Sequence, residues 1–147
     1  MDFLLPVLVF IIGCFLAFAT GTSWGTFGIL IPIVQSVFDM SNPLAIICIS
    51  ACMAGAVCGD HCSPISDTTI MASAGAQCDH VNHVSTQLLY AMSVAVISSI
   101  CYILAGALAK NFNLGIIALP IGIVLVIVAL IGIKLFVKPK TSVASKH

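Results

Sequence analysis

The sequence predicts an all-α, polytopic membrane protein: a re-entrant helical hairpin, a broken transmembrane helix and two full transmembrane helices in one membrane domain. Two observations carry this reading. The 147 residues are 61% apolar and only 7% charged, whereas soluble domains carry about 25% charged residues; mean hydropathy is +1.22. Along the chain, some apolar segments hold the roughly 20 residues that cross about 30 Å of hydrocarbon, while others are cut short by Gly, Ser, Thr, Pro and Asp. Such a composition excludes a soluble globular enzyme, a nucleic-acid binder and a disordered tail.

The first element, residues 3–38, has two apolar arms around Thr20-Gly21-Thr22-Ser23-Trp24-Gly25-Thr26. Its combined length exceeds one crossing, which favours a hairpin entering and leaving on the outer side over a single broken crossing. The second element, residues 43–77, is interrupted by Gly59-Asp60-His61-Cys62-Ser63-Pro64-Ile65-Ser66-Asp67 and reads as one crossing by a broken helix. Lipid cannot satisfy freed backbone groups, so such a break is buried in protein or lines a wet cavity. Broken helices of this kind build ion sites in secondary transporters. Residues 84–109 and 114–136 are full transmembrane helices, paired antiparallel through Lys110-Asn111-Phe112-Asn113. Small residues recur in Ala51-x3-Gly55-x3-Gly59, a spacing that permits close helix contact.

Charge sets the expected topology. Every Asp lies before residue 80 and every Lys after 109, with no Arg or Glu. Lys134, Lys138, Lys140 and Lys146 place the tail 137–147 in the cytoplasm, 78–83 inside and 39–42 outside, in a multi-pass protein of the inner or plasma membrane. The apolar N-terminus lacks the basic region of a cleaved signal peptide. The seven cysteines form no CxxC and read as reduced packing residues; Cys78, His80 and His83 do not have an established zinc spacing.

Chemistry is expected at the interruptions. Asp60 and Asp67 lie within an apolar crossing, where a charge costs at least about 2.5–3.5 kcal/mol and marks function by default. His61, Ser63, Ser66, Thr68 and Thr69 surround them. Carboxylates, hydroxyls and freed carbonyls suit a hard cation, and the negative end of the first half-helix favours one at Asp60. Asp67 also reads as an N-cap, and His61 as a hydrogen-bonded structural residue. Thr22, Ser23 and Thr26 supply hydroxyls at the first break, with Trp24 packed at its tip. Asp79 and His80 could relay protons, or belong with His83 to an ordinary solvated loop. A membrane hydrolase built on His61, Cys62 or Ser63 has no arguable base and orienter.

The run from Gly59 to Ile70, followed by Ser73-Ala74-Gly75-Ala76 and Cys78-Asp79-His80-x-x-His83-Val84-x-Thr86-Gln87, resembles the NhaC-type Na+/H+ antiporter family. Thr20–Thr26 resembles that family's other glycine–hydroxyl signature, and the resemblance spans roughly residues 10–110. It implies a secondary transporter of the ion-transporter superfamily, in which a hairpin tip and a broken helix jointly enclose a cation. It implies Na+/H+ antiport, with Asp60 and Asp67 on Na+, the neighbouring hydroxyls completing the shell, and no cofactor. Family members are longer, with two inverted repeats, and this chain resembles only the C-terminal half. The expected partners are Na+, H+, the bilayer, and a homo-oligomer or second chain supplying the N-terminal repeat. The alternatives are a Na+- or H+-coupled organic-acid exchanger and an inactive truncated half.

Overall fold

The computed structural model describes residues 2–39, 41–109 and 118–136. Among the described residues six α-helices follow a short 3-10 turn: α1 (Leu5–Thr20), α2 (Ser23–Val37), α3 (Pro43–Cys62), α4 (Asp67–Gly75), α5 (His80–Leu108) and α6 (Ala118–Phe136). Among the described residues no strand occurs, and α3 and α5 are long and apolar enough to cross a membrane. The expected connection 110–113 and tail 137–147 lie outside the described residues.

The centre is the pair α1–α3. A Cβ on Gly55 would strike the Phe10 carbonyl, and one on Gly59 the Cys14 carbonyl. Ser63, one turn further, donates its hydroxyl proton to the Phe18 carbonyl at 2.8 Å. Each four-residue step along α3 thus matches a four-residue step along α1, so the two helices run parallel in constant register. Ala17, Ala45, Cys48, Ala51, Cys52 and Ala56 are fully buried, and small side chains are what let two backbones approach this closely. The cysteines here are free packing residues.

α1 ends at Gly21, whose φ of +67° closes the helix with Gly21 N–H on the Ala17 carbonyl. Glycine takes this left-handed conformation without Cβ strain. The chain then turns back. Thr26, Leu30 and Val34 form the buried face of α2, α2 packs on α3 and α1, and the short segment 38–42 joins the end of α2 to the start of α3. α1 and α2 therefore form a hairpin whose tip lies level with the end of α3. α5 returns antiparallel: Tyr102 meets Ser50 at 3.3 Å and Phe10 ring to ring at 5.4 Å, while Gly106 abuts Phe3. α6 rests on α5.

Burial is inverted relative to a soluble protein. Thr26, Asp60, Ser63, Ser66, Thr69 and Ser73 are buried, while Phe15, Leu89, Tyr90 and Val96 are exposed. An apolar exterior this extensive suits lipid rather than water.

Three expectations about boundaries change. The first interruption contracts to Gly21 and Thr22, because Ser23–Thr26 already form the first turn of α2. The second contracts to Ser63–Ser66, because Asp60, His61 and Cys62 remain helical. Polarity does not end a helix; Pro64 does, lacking an N–H and driving Ser63 to extended backbone. α3 alone is therefore long enough to cross, where only 43–58 was expected to be helical before the break. Finally, α5 starts at His80, so His80 and His83 belong to its first turns and not to a loop.

Candidate functional site

The site is the four-residue gap between α3 and α4. The last turn of α3 brings Asp60 inward, 6% exposed, and the Asp60 carbonyl accepts the N–H of Ser63. Across the gap Ser66, fully buried, donates its hydroxyl proton to Asp60 Oδ1 at 2.6 Å. That length is at the short end of ordinary hydroxyl hydrogen bonds.

Counting protons shows what is left over. Ser66 Oγ has one proton, and Asp60 takes it. Thr68 lies 2.7 Å away, so its hydroxyl must donate to Ser66 Oγ, which also accepts the Thr68 N–H at 3.2 Å. Ser66 is then fully used, since a hydroxyl offers one donor and two lone pairs. The lone pairs of Thr68 Oγ1 are unspent, and Asp60 Oδ2 has no hydrogen-bond partner among the described residues. The negative end of α3 faces this spot, adding to its preference for a cation.

The remaining residues are placed as follows. Ser63 fixes the break to the hairpin through Phe18. Thr69, buried, makes a long 3.4 Å contact to the His61 carbonyl. His61 itself is exposed and donates Nδ1–H to Val57 O at 2.9 Å; its ring lines an open apolar groove of about 960 Å³ between α3 and α5. Asp67 is exposed in the first turn of α4, and Ser66 caps that helix in its stead, a correction to the expected capping role. Among the described residues, no three His, Cys, Asp or Glu side chains gather in one metal cluster.

The hairpin tip meets the break through backbone, not through hydroxyls. A Cβ on Gly21 would crowd Ile65. Thr26, buried, donates to the Thr22 carbonyl at 3.0 Å, and Thr22 caps α2 through a long contact to Gly25 N. The Ser23 hydroxyl makes no hydrogen bond among the described residues. Trp24 is 81% exposed, in edge contact with Phe27, and is not packed into the tip as expected. Asp79 caps α5 by accepting Asn82 N–H at 2.9 Å. His80 Nε2 bonds the Pro64 carbonyl at 2.8 Å, and its Nδ1 lies 3.0 Å from Ser73 Oγ. No hydrogen bond joins Asp79 to His80. Ser73 and the Phe18 carbonyl were not singled out by residue type; Ser73 stood in the quoted motif, whereas a backbone carbonyl leaves no signal in a sequence.

A lipid-facing helical bundle with a carboxylate held at a polar helix break is the build of a membrane transporter. The chain belongs to the Na+/H+ antiporter family, whose family model matches residues 2–107. It is similar to a Haemophilus influenzae protein of uncharacterised role, 58% identical over 103 residues, covering 69% of this chain and 20% of the relative. It is also similar to a malate-2H+/Na+-lactate antiporter of Bacillus subtilis, 35% identical over 115 residues, covering 76% and 24%. An uncharacterised Na+/H+ antiporter of Haemophilus influenzae is 33% identical over 102 residues, covering 69% and 21%. The alignments thus span about a fifth to a quarter of the relatives they match. No solved structure matches the chain. Family membership places the protein in a membrane and among transporters.

Proposed function

We propose that this chain carries the ion-handling break of an NhaC-type Na+/H+ antiporter. The observation that carries the reading is Asp60, buried in the last turn of α3 and bridged across the break by Ser66. A carboxylate removed from water is stabilised by a proton or by a cation. If Na+ and H+ compete for Asp60, release of one requires uptake of the other, and the two fluxes are coupled. Thr68 and the carbonyls freed at the break supply further oxygens, with Ser63, Thr69 and His61 shaping the wall. Asp67 stands at the exposed approach as a second, outer ligand. Thr22, Ser23 and Thr26 stand in the tip of the hairpin, which this reading makes re-entrant from the outer face, and Asp79 and His80 mark the cytoplasmic proton route.

Because the relatives are several times longer, transport by this chain calls for a homo-oligomer or a partner supplying the other repeat. The lysine-rich C-terminus, outside the described residues, places its tail in the cytoplasm of a cell with an inner or plasma membrane.

Binding can be read without the partner. Na+ should raise the melting temperature of the purified protein relative to choline, and acid pH should erase the rise by competition; a ligand at 100 times its Kd stabilises by about 2.7 kcal/mol. Folded protein indifferent to Na+ at every pH would sink the reading. Ser66→Ala should weaken the Na+ response about tenfold, since a hydrogen bond to a charged group is worth about 1.5–3 kcal/mol. The similarity to a malate/lactate antiporter favours one second reading, an organic-acid exchanger. Na+-linked proton flux in proteoliposomes that appears only on adding malate or lactate would decide for it.

A further inference from the structure

We propose that the groove between α3 and α5 is the seat of a transmembrane helix from the rest of the transporter, one whose inward face carries a hydroxyl or amide side chain that pairs with Gln87. The inference rests on the reading of this chain as one part of a longer antiporter.

The groove has the shape of a helix seat. Its lining recurs at three- and four-residue steps from Ile46 to His61 on α3 and from Gln87 to Ser98 on α5, the spacing that keeps residues on one face of a helix. At 1.5 Å per residue the two stripes run about 22 Å and about 16 Å, or roughly three to four helical turns. Along them Ala54, Ala91 and Ala95 leave hollows between Met53, Tyr90 and Val94, the relief into which the ridges of another helix fit. Met53 and Val94 are half-exposed, so nothing among the described residues fills the groove.

An apolar shape alone does not draw a helix out of lipid, because acyl chains are as apolar as leucine. Gln87 supplies the missing attraction. It lines the groove, and its Oε1 is buried with no hydrogen-bond partner among the described residues. A buried acceptor left unpaired is destabilising. The last torsion of glutamine is soft, so the amide can turn Oε1 toward the groove. An acyl chain offers no donor there, whereas a helix bearing Ser, Thr, Asn or Gln does. The relatives contain the chain length for such a helix: the alignments cover 20% and 24% of two of them, leaving more than three quarters of each outside the matched segment. Because α5 runs antiparallel to α3, Gln87 and His61 stand at the same end of the groove. The seated helix therefore brings its polar residue beside the last turn of α3, which carries Asp60.

The test compares two proteins in nanodiscs: this chain alone, and the full-length Haemophilus influenzae relative with residues 2–107 of this chain in place of its matched segment, a conservative graft at 58% identity. A benzoylphenylalanine photoprobe in place of Met53 should cross-link to lipid in the chain alone and to a peptide outside the graft in the full-length protein. Val94→Trp, which fills the groove from an exposed position, should lower the peptide cross-link at least threefold. Gln87→Leu should leave the chain alone at least as stable as before, since it removes an unpaired acceptor, yet lower the melting temperature of the full-length protein, where it breaks a bond. Asp60→Asn should leave these results unchanged while removing the Na+ response, so the docking and the antiport reading fail separately. A probe that reaches only lipid or a second copy in the full-length protein would overturn the docking, as would one that reaches residues 118–147 in the chain alone. So would a Gln87→Leu melting shift of the same sign in both proteins, or none in the full-length one.

Discussion

Asp60→Asn is expected to abolish the Na+ response and Na+/H+ exchange while leaving the helices intact or slightly more stable. Asparagine matches aspartate in shape, and Ser66 can still donate to its Oδ1, so the bond across the break persists. What disappears is the charge. Retaining a charge in an apolar crossing costs at least about 2.5–3.5 kcal/mol, and a neutral amide removes that cost together with the attraction for a cation. A merely structural Asp60 would give a different result, with stability falling or unchanged and the Na+ response retained. The decisive measurement is melting with and without Na+, paired with proton flux in proteoliposomes of whatever assembly supports exchange. Exchange at the wild-type rate in the variant would rule out Asp60 as the coupling group. Asp67→Asn, exposed in the first turn of α4, should cost only the helix-dipole contribution of about 0.3–1 kcal/mol and a modest part of the Na+ affinity.

How much of this was legible beforehand depends on the kind of signal. Composition gave the all-helical membrane class, because lipid exposure demands apolar residues everywhere outside. The break at Ser63–Ser66 was legible through Pro64, and Asp60 through its isolation in an apolar run. The extent of the break was not, since Asp60, His61 and Cys62 are polar or small yet remain helical, and only backbone geometry shows where hydrogen bonding stops. The role of Ser66 was half visible: a hydroxyl near a carboxylate, but not the 2.6 Å bond or the capping that displaced Asp67 from that position. The hairpin tip was misjudged in detail for a related reason. Its hydroxyls suggested ligands, whereas they bond their own turn, and the tip reaches the break through Gly21 and the Phe18 carbonyl. The bridge from His80 to Pro64 spans 16 residues and four segments, so no local spacing could reveal it.

Gly59→Val should do the opposite of Asp60→Asn, disabling the fold rather than the chemistry. A Cβ at Gly59 would meet the Cys14 carbonyl oxygen and lie 2.9 Å from Ala17 Cβ. Neither obstacle can swing aside, since one is helix backbone and the other a methyl fixed to it. The only relief is to part α1 from α3, and that seam holds the register that brings Ser63 to Phe18. Overpacking of a tight core costs about 1–3 kcal/mol, and here the cost should fall at the upper end. Gly75→Ala is the matching control, because nothing lies within 4 Å of a Cβ there. Detergent-extracted Gly59→Val should melt well below the wild type and elute broadly on size exclusion, while Gly75→Ala behaves as the wild type does. Wild-type melting in Gly59→Val would mean that α1 and α3 are not packed backbone to backbone. In that case the hairpin tip would no longer be held at the level of the break, and the enclosure around Asp60 would lose its structural basis.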